Sequence, residues 1–490
     1  MRLRHYAPRV QRVLFPRECG NFPLHRVHPY SFANSILTEL ASHFLGKPLL
    51  HNIRVLHASP NHGAEVFYRA FPVLFGPKLR KIQSAHHSRY GKLDDELWTS
   101  ALRQIFVLLH QSSPRLTHLT FNLRSESYFH APPGICAAMS EAICRFQRLT
   151  CVSTVIPINL QALAHLSQLP SLRVLDVHLD WDVAGIDDFA PLDLIPQNQF
   201  FPHLRSITLT HQYYITPISI ILFCIWSSHI NTIKVSVPQL RSQYQQVMDC
   251  LSVIGHRTAP DNITYVSLNL PPDRWPLRDP VTFDEDALAP LLMLPHLTHL
   301  ELELGCQFVL NNAACHMMAD AWQDIQVLEL GPHPEQKTTQ VTLDALVSFA
   351  MLCPRLQRLG ICLNADVRRL RSSPGCRPGL GCEQTALKAL FVGKSPIDDP
   401  VAVAAYLSDL FPKLNHVVCS WQCEEDIPED DLEDYTEEER ATLLAESVFR
   451  TRWYDVITTF LPNFVRVRQQ EREWARSNRV IVRPAPALGR

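Results

Sequence analysis

One short phrase recurs thirteen times along this 490-residue chain: an apolar residue followed three and five places later by others, often introduced by Pro. Pro170-Ser171-Leu172-Arg173-Val174-Leu175-Asp176-Val177 is a clear copy, as are Pro114 to Phe121, Pro202 to Leu209, Pro295 to Leu302 and Pro354 to Ile361. With the first apolar residue as marker, the series runs Ile53, Leu79, Leu116, Leu149, Leu172, Leu204, Ile230, Ile263, Leu297, Ile325, Leu356, Leu387 and Leu414. Weaker copies stand at Val10 and Phe464. A repeat at such a period constrains the fold more than any single residue, because a unit this small cannot bury its own apolar face and must stack on neighbours.

The phrase reads as a strand. From its second apolar position the period is two, as in Leu300-Glu301-Leu302-Glu303-Leu304. Between phrases the period becomes helical, as in Leu97, Trp98, Ala101, Leu102, Ile105, Phe106, Leu109 and again in Leu343, Leu346, Val347, Ala350, Met351. Val401 to Leu410 and Ile218 to Trp226 are also helix-compatible. The mean spacing of about 30 residues sits near the upper end of the ~20–29 of leucine-rich repeats. The expected fold is therefore α/β, an irregular leucine-rich-repeat solenoid with a curved parallel sheet inside and helices outside. Residues 1–423 form the expected array. Residues 424–436 are an acidic flexible loop, 437–483 a capping helix, last strand and basic helix, and 484–490 a disordered tail. Thr436 and Glu439 have capping-box spacing for that helix, with Leu444, Val448, Trp453, Val456, Ile457 and Phe460 as its expected buried stripe.

Composition excludes several classes. Net charge is −2, but Glu424 to Glu439 holds eleven acids, which leaves 46 basic against 37 acidic residues, or +9, elsewhere. That is too mild a basic footprint for a nucleic-acid binder. The run Ile218 to Trp226 is too short to span a bilayer, and the first residues lack a secretory core. A cytoplasmic or nuclear location, not a secreted one, is expected. Fourteen irregularly spaced cysteines read as buried thiols in a reducing compartment. The sequon at Asn262 has Ile263 in a core slot, which argues against modification. Neither His416, Cys419 and Cys423 nor Cys376 and Cys382 has the paired spacing of a zinc knuckle. No phosphate-binding loop, nucleophile elbow or zinc-protease helix occurs, so no catalytic, cofactor or metal residues are expected.

Alternation along each strand turns the residues between apolar positions away from the helices. The candidate protein-binding residues on this concave face are His118, Thr120, Asn122, Asp176, His178, Thr208, Lys234, Tyr265, Asn269, His299, Glu301, Glu303, Glu329 and Arg358. Hydroxyls, amides, histidines and charges with an aromatic suit a protein partner. The arginines after Phe464, at 466, 468, 472, 476, 479 and 483, read as a solvated helix face.

The repeated Pro-x-Leu-x-x-Leu-x-Leu phrase and the opening Tyr6-Ala7-Pro8-Arg9-Val10-Gln11-Arg12-Val13 resemble the leucine-rich-repeat region of F-box proteins of mushroom-forming fungi. The likeness covers nearly the whole chain. It implies a substrate-receptor arm of an SCF-type ubiquitin ligase, with a protein target on the concave face and the ligase adaptor as second partner. No Leu-Pro-x-Glu-like F-box phrase is present, and the helical stretch Ser31 to Phe44 lacks it. The expectation is a shortened receptor or a relative that kept the binding array, with a scaffold outside ubiquitin ligation as the alternative. A hydrolase with scattered catalytic residues is the remote one.

Overall fold

The computed structural model describes residues 9–14, 39, 49–58, 71–88, 95–125, 133–179, 200–225, 227–240, 244–257, 260–271, 282–331, 339–369, 381–421 and 436–479. The acidic run at 424–435, the stretch Ser31 to Phe44 (apart from Glu39) and the tail 484–490 lie outside these. The chain divides into two compact units, Met1–Val253 with Arg257–Asn262, and Ile254–His256 with Ile263–Arg490.

In the first unit the strands are β1 (Arg12–Leu14), β2 (Val55–Ala58), β3 (Lys81–Ser88), β4 (His118–Ser125), β5 (Cys151–Ile158), β6 (Val174–Leu179), β7 (Ser206–His211) and β8 (Thr232–Ser236). Each pairs in parallel with the next in chain order. Helices α1 (Asp95–Ser112), α2 (Pro133–Arg145), α3 (Leu160–Ser167) and α4 (Thr216–Cys224) fall between them. The unit boundary lies within α5 (Tyr244–Arg257).

The second unit continues with β9 (Tyr265–Asn269), β10 (Thr282–Phe283), β11 (His299–Glu303), β12 (Gln307–Phe308), β13 (Val327–Leu330), β14 (Arg358–Gly360), β15 (Ala389–Gly393) and β16 (His416–Cys419). Its main sheet runs β9-β11-β13-β14-β15-β16, all parallel. The pair β10–β12 forms a small side sheet that the sequence reading did not foresee. Its helices are α6 (Glu285–Leu292), α7 (Asn312–Ala321), α8 (Ala345–Leu352), α9 (Pro400–Leu410), α10 (Glu437–Asp455) and α11 (Leu461–Arg479), the last two joined by a π-helical segment, Val456–Phe460.

Every main-sheet strand starts two residues after a marker, at Val10 and at all thirteen clear copies. A forked hydrogen bond explains the constancy. Within each unit, the carbonyl of the residue after a marker accepts from two successive N–H groups of the next copy. Arg54 O takes Arg80 N at 2.9 Å and Lys81 N at 3.0 Å; Thr298 O takes Gln326 N at 2.7 Å and Val327 N at 3.1 Å. Pairing thus uses only the phrase, so the helical span between phrases can vary without shifting register. All thirteen markers are at most 2% exposed. Each such aliphatic side chain contributes ~1.5–3 kcal/mol, alongside the equally buried positions three places further on. Thr154 holds one core slot of β5, and its buried hydroxyl is satisfied locally, accepting from Ile156 N at 3.0 Å.

A second row stacks three residues before each marker, in the turn. Gly76, Ser113, Ser227, Trp322, Cys353 and Gln384 occupy it. Ser113 Oγ donates to Gly76 O, Ser227 Oγ to Leu204 O, Trp322 Nε1 to Leu291 O, and Gln384 Nε2 to Cys353 O and Leu356 O. Gly76 approaches the preceding turn so closely that a Cβ would lie 2.5 Å from Leu50 O. Buried turns would otherwise strand their carbonyls, so polar side chains here tie one repeat to the one before it.

The C-terminal segment departs from expectation. The phrase around Phe464 is helical, not a strand, so residues 437–479 form one helix with a π interruption. Leu461, Phe464 and Val465 also fit helical spacing, and packing decides between the two periods. Pro462 has no N–H for the carbonyl of Thr458, a standard cause of such an irregularity. In an unbroken α-helix Leu461 would lie about 80° round from Trp453; the extra residue of a π turn brings it back to within about 20°. Trp453, Val456 and Leu461 are all buried, and Arg468 and Arg472 bond Asp409 at 2.7 Å and Glu383 at 3.0 Å. These two arginines clasp the unit and are not part of a solvated face. The buried stripe is rotated from the expected one: Leu444 and Val448 are exposed, at 66% and 45%.

Candidate protein-binding surface

Burial alternates along most of the strands, with breaks at the ends of β13 to β16. Leu119 and Phe121 on β4 are buried while His118, Thr120 and Asn122 are half-buried. Phe121 meets Phe106 of α1 with ring centroids 5.2 Å apart, which places the helices on the buried side. All fourteen residues expected on the opposite face lie there, each two, four or six places after its marker and none of them buried. Strand pairing brings them together within each unit.

In the second unit the register sets His299 beside Tyr265, Glu301 beside Ser267, Glu303 beside Asn269, and Glu329 beside Glu301. Tyr265 Oη donates to Glu301 Oε2 at 2.8 Å, and its ring stacks on His299 at 5.4 Å with 22° between planes. Arg358 pairs with Glu329 and lies over the Phe391 ring at 5.6 Å. Gly360 lets Glu329 lie flat against the next strand, since a Cβ there would be 3.3 Å from its Cα and Cγ. Burial, reinforced by the hydrogen bond to Glu301 and its charge, pushes the Tyr265 hydroxyl up to about 12, with Ser267 and Arg358 pulling it down. Tyr265 is therefore a neutral donor, held in one rotamer by a carboxylate and a stacked ring. The three carboxylates on this face, Glu301, Glu303 and Glu329, outnumber Arg358.

In the first unit Ser153 Oγ donates to Asp176 at 2.8 Å on the neighbouring strand. Thr208 lies beside Asp176 and Lys234 beside Thr208, while His178 lies beside Thr210. The sequence reading missed the face of β1 to β3. Arg12, His57, Lys81 and Gln83 occupy the same slots in the copies of Val10, Ile53 and Leu79. The phrase rule applied to those copies would have found them. Phe391, in the poor copy after Leu387, was missed for the same reason.

No group of three or more His, Cys, Asp or Glu suited to a metal occurs among the described residues. Burial pushes the thiols of Cys250, Cys315 and Cys353 up to about 12 and that of Cys362 to about 11. Such thiols are packing residues, not nucleophiles. No described helix is long and apolar enough to cross a membrane. No protein-family model matches this sequence, and no curated protein matches it.

Proposed function

We propose that this chain is a leucine-rich-repeat protein that recognises a protein target on the open face of its parallel sheets. The observation that carries the reading is the prearranged set on β9 to β15: Tyr265 fixed by Glu301 and His299, and Arg358 fixed by Glu329 and Phe391. Rigid aromatic and arginine side chains lose little entropy on binding and dominate protein interfaces. On this reading the chain acts by holding a partner while other proteins carry the chemistry. By its sequence resemblance the role is that of an SCF substrate receptor, in the cytoplasm or nucleus.

Cross-linking with mass spectrometry identifies the target, and the purified pair then gives an affinity. Tyr265→Ala and Glu301→Ala each weaken it by about 2 kcal/mol, roughly thirtyfold. Unchanged affinity in both variants removes the open face as the binding site. Co-purification of the ligase adaptor separates the receptor from a plain scaffold.

A further inference from the structure

The face of β1 to β4 has a different character from that of β9 to β15. Arg12, Lys81 and His118 stand in the first slot of their strands, with His57 one slot further on β2. Lys81 is paired across the ladder with His118 on one side and Val55 on the other, and Arg12 with Val55. At ~4.8 Å between strands the four lie within about 15 Å. Gln83 and Thr120 fill the adjacent slots, and Arg54 and Arg80 lie exposed where β2 and β3 begin. From Arg9 through Asn122, Glu39 is the one acid among the described side chains.

The electrostatics agree. The His57 imidazole is held below its ordinary value by burial, then by Lys81 and Arg12; His118 by burial, then by Lys81. Beyond His118 the next strand offers Cys151, whose thiol is raised by burial and then pulled down by Lys81 and up by Asp176. Asp176, on β6, is the first carboxylate along the sheet, and it already accepts from Ser153.

We propose that the open face of β1 to β4 is the docking site of an acidic polypeptide segment. The inference deepens the protein-binding reading above and rests on it. A segment lying across four strands would meet Arg12, Lys81 and the two histidines with its carboxylates, and Gln83 and Thr120 with its amides. The first-slot row then passes to the uncharged Cys151, Val174 and Ser206. The described side chains on the open face of β1 to β4 include no Phe, Tyr or Trp to stack a base, which favours a polypeptide over a single-stranded nucleic acid.

The test uses the full chain and a fluorescent twelve-residue peptide rich in Asp and Glu, with its Asn/Gln counterpart, followed by anisotropy. The acidic peptide binds, its affinity falls as salt rises, and the neutral peptide binds at least tenfold more weakly. Lys81→Gln and Arg12→Gln each weaken binding about fivefold, while Lys388→Gln, an exposed lysine of the second unit, leaves it unchanged. Binding is tighter at pH 6 than at pH 8, because a bound anion favours the protonated imidazoles, and this difference vanishes in His57→Gln/His118→Gln. Equal binding of both peptides, indifference to Lys81→Gln and Arg12→Gln, or tighter binding of a single-stranded oligonucleotide of the same charge overturns the proposal. If the acidic peptide fails while target affinity still depends on Tyr265 and Glu301, only this acidic preference falls and the protein-binding reading stands.

Discussion

Gln384 gives the sharpest test of how neighbouring repeats are joined. It is 2% exposed and makes four hydrogen bonds: Nε2 to Cys353 O at 3.1 Å and to Leu356 O at 2.8 Å, and Oε1 from Ala386 N at 3.0 Å and Leu387 N at 2.7 Å. The side chain thus closes its own turn and ties it to the turn before. Gln384→Met keeps length and apolar volume but removes all four bonds. At about 1 kcal/mol net for each, the loss is about 4 kcal/mol, and the two amides are left buried without an acceptor. With a urea m-value of roughly 2–3 kcal/mol/M the midpoint falls by about 1.5 M. The assay is urea unfolding followed by tryptophan fluorescence, with hydrogen exchange of the 384–390 segment as local readout. Exchange at Ala386 and Leu387 accelerates first, because these amides lose their acceptor. A midpoint shift below about 0.3 M with unchanged exchange refutes the reasoning. The turn would then owe its geometry to the backbone alone.

Other outcomes follow from single contacts. Gly255→Ala places a Cβ 2.1 Å from Pro290 O on the facing helix, so it destabilises the second unit by about 2 kcal/mol despite the better helix propensity of Ala, read by the same urea assay. Tyr265 ionises near pH 12; the tyrosinate absorbance step lost in Tyr265→Phe lies there, and Glu301→Gln moves it downward because Glu301 is one of its raising causes. His57 and His118 titrate below the ordinary histidine value, so the stability they contribute is full above pH 6.5 and is lost as pH falls through their depressed values. Lys81→Gln moves both titrations upward in histidine-labelled NMR, since Lys81 acts on both rings. Arg468→Ala removes the 2.7 Å pair with Asp409 and raises hydrogen exchange in α11 before any change in β9 to β14.

The strand set was legible from the residues alone. A marker followed by period-two alternation is a local pattern, and the forked bond that joins successive copies within a unit depends only on the phrase, so all thirteen clear copies and Val10 became strands. The same alternation assigned His118, Tyr265, Glu301 and Arg358 to the open face, because a strand has only two sides. Phe464 marks the limit of that rule. Its phrase fits a strand and a helix equally well, and the choice was made by Asp409 and Glu383 on a distant part of the chain. Leu444 and Val448 looked like core for the same reason: a helical stripe shows that a face exists, and only the packed neighbour says which face is covered. The pairing of Tyr265 with Glu301, 36 positions apart, and the gathering of Arg12, His57, Lys81 and His118 from four copies likewise required tertiary structure. Periodicity encodes each residue's direction from its own strand. Which strand lies beside which, and so which side chains become neighbours, is decided only when the repeats stack and the ladder joins copies far apart in sequence.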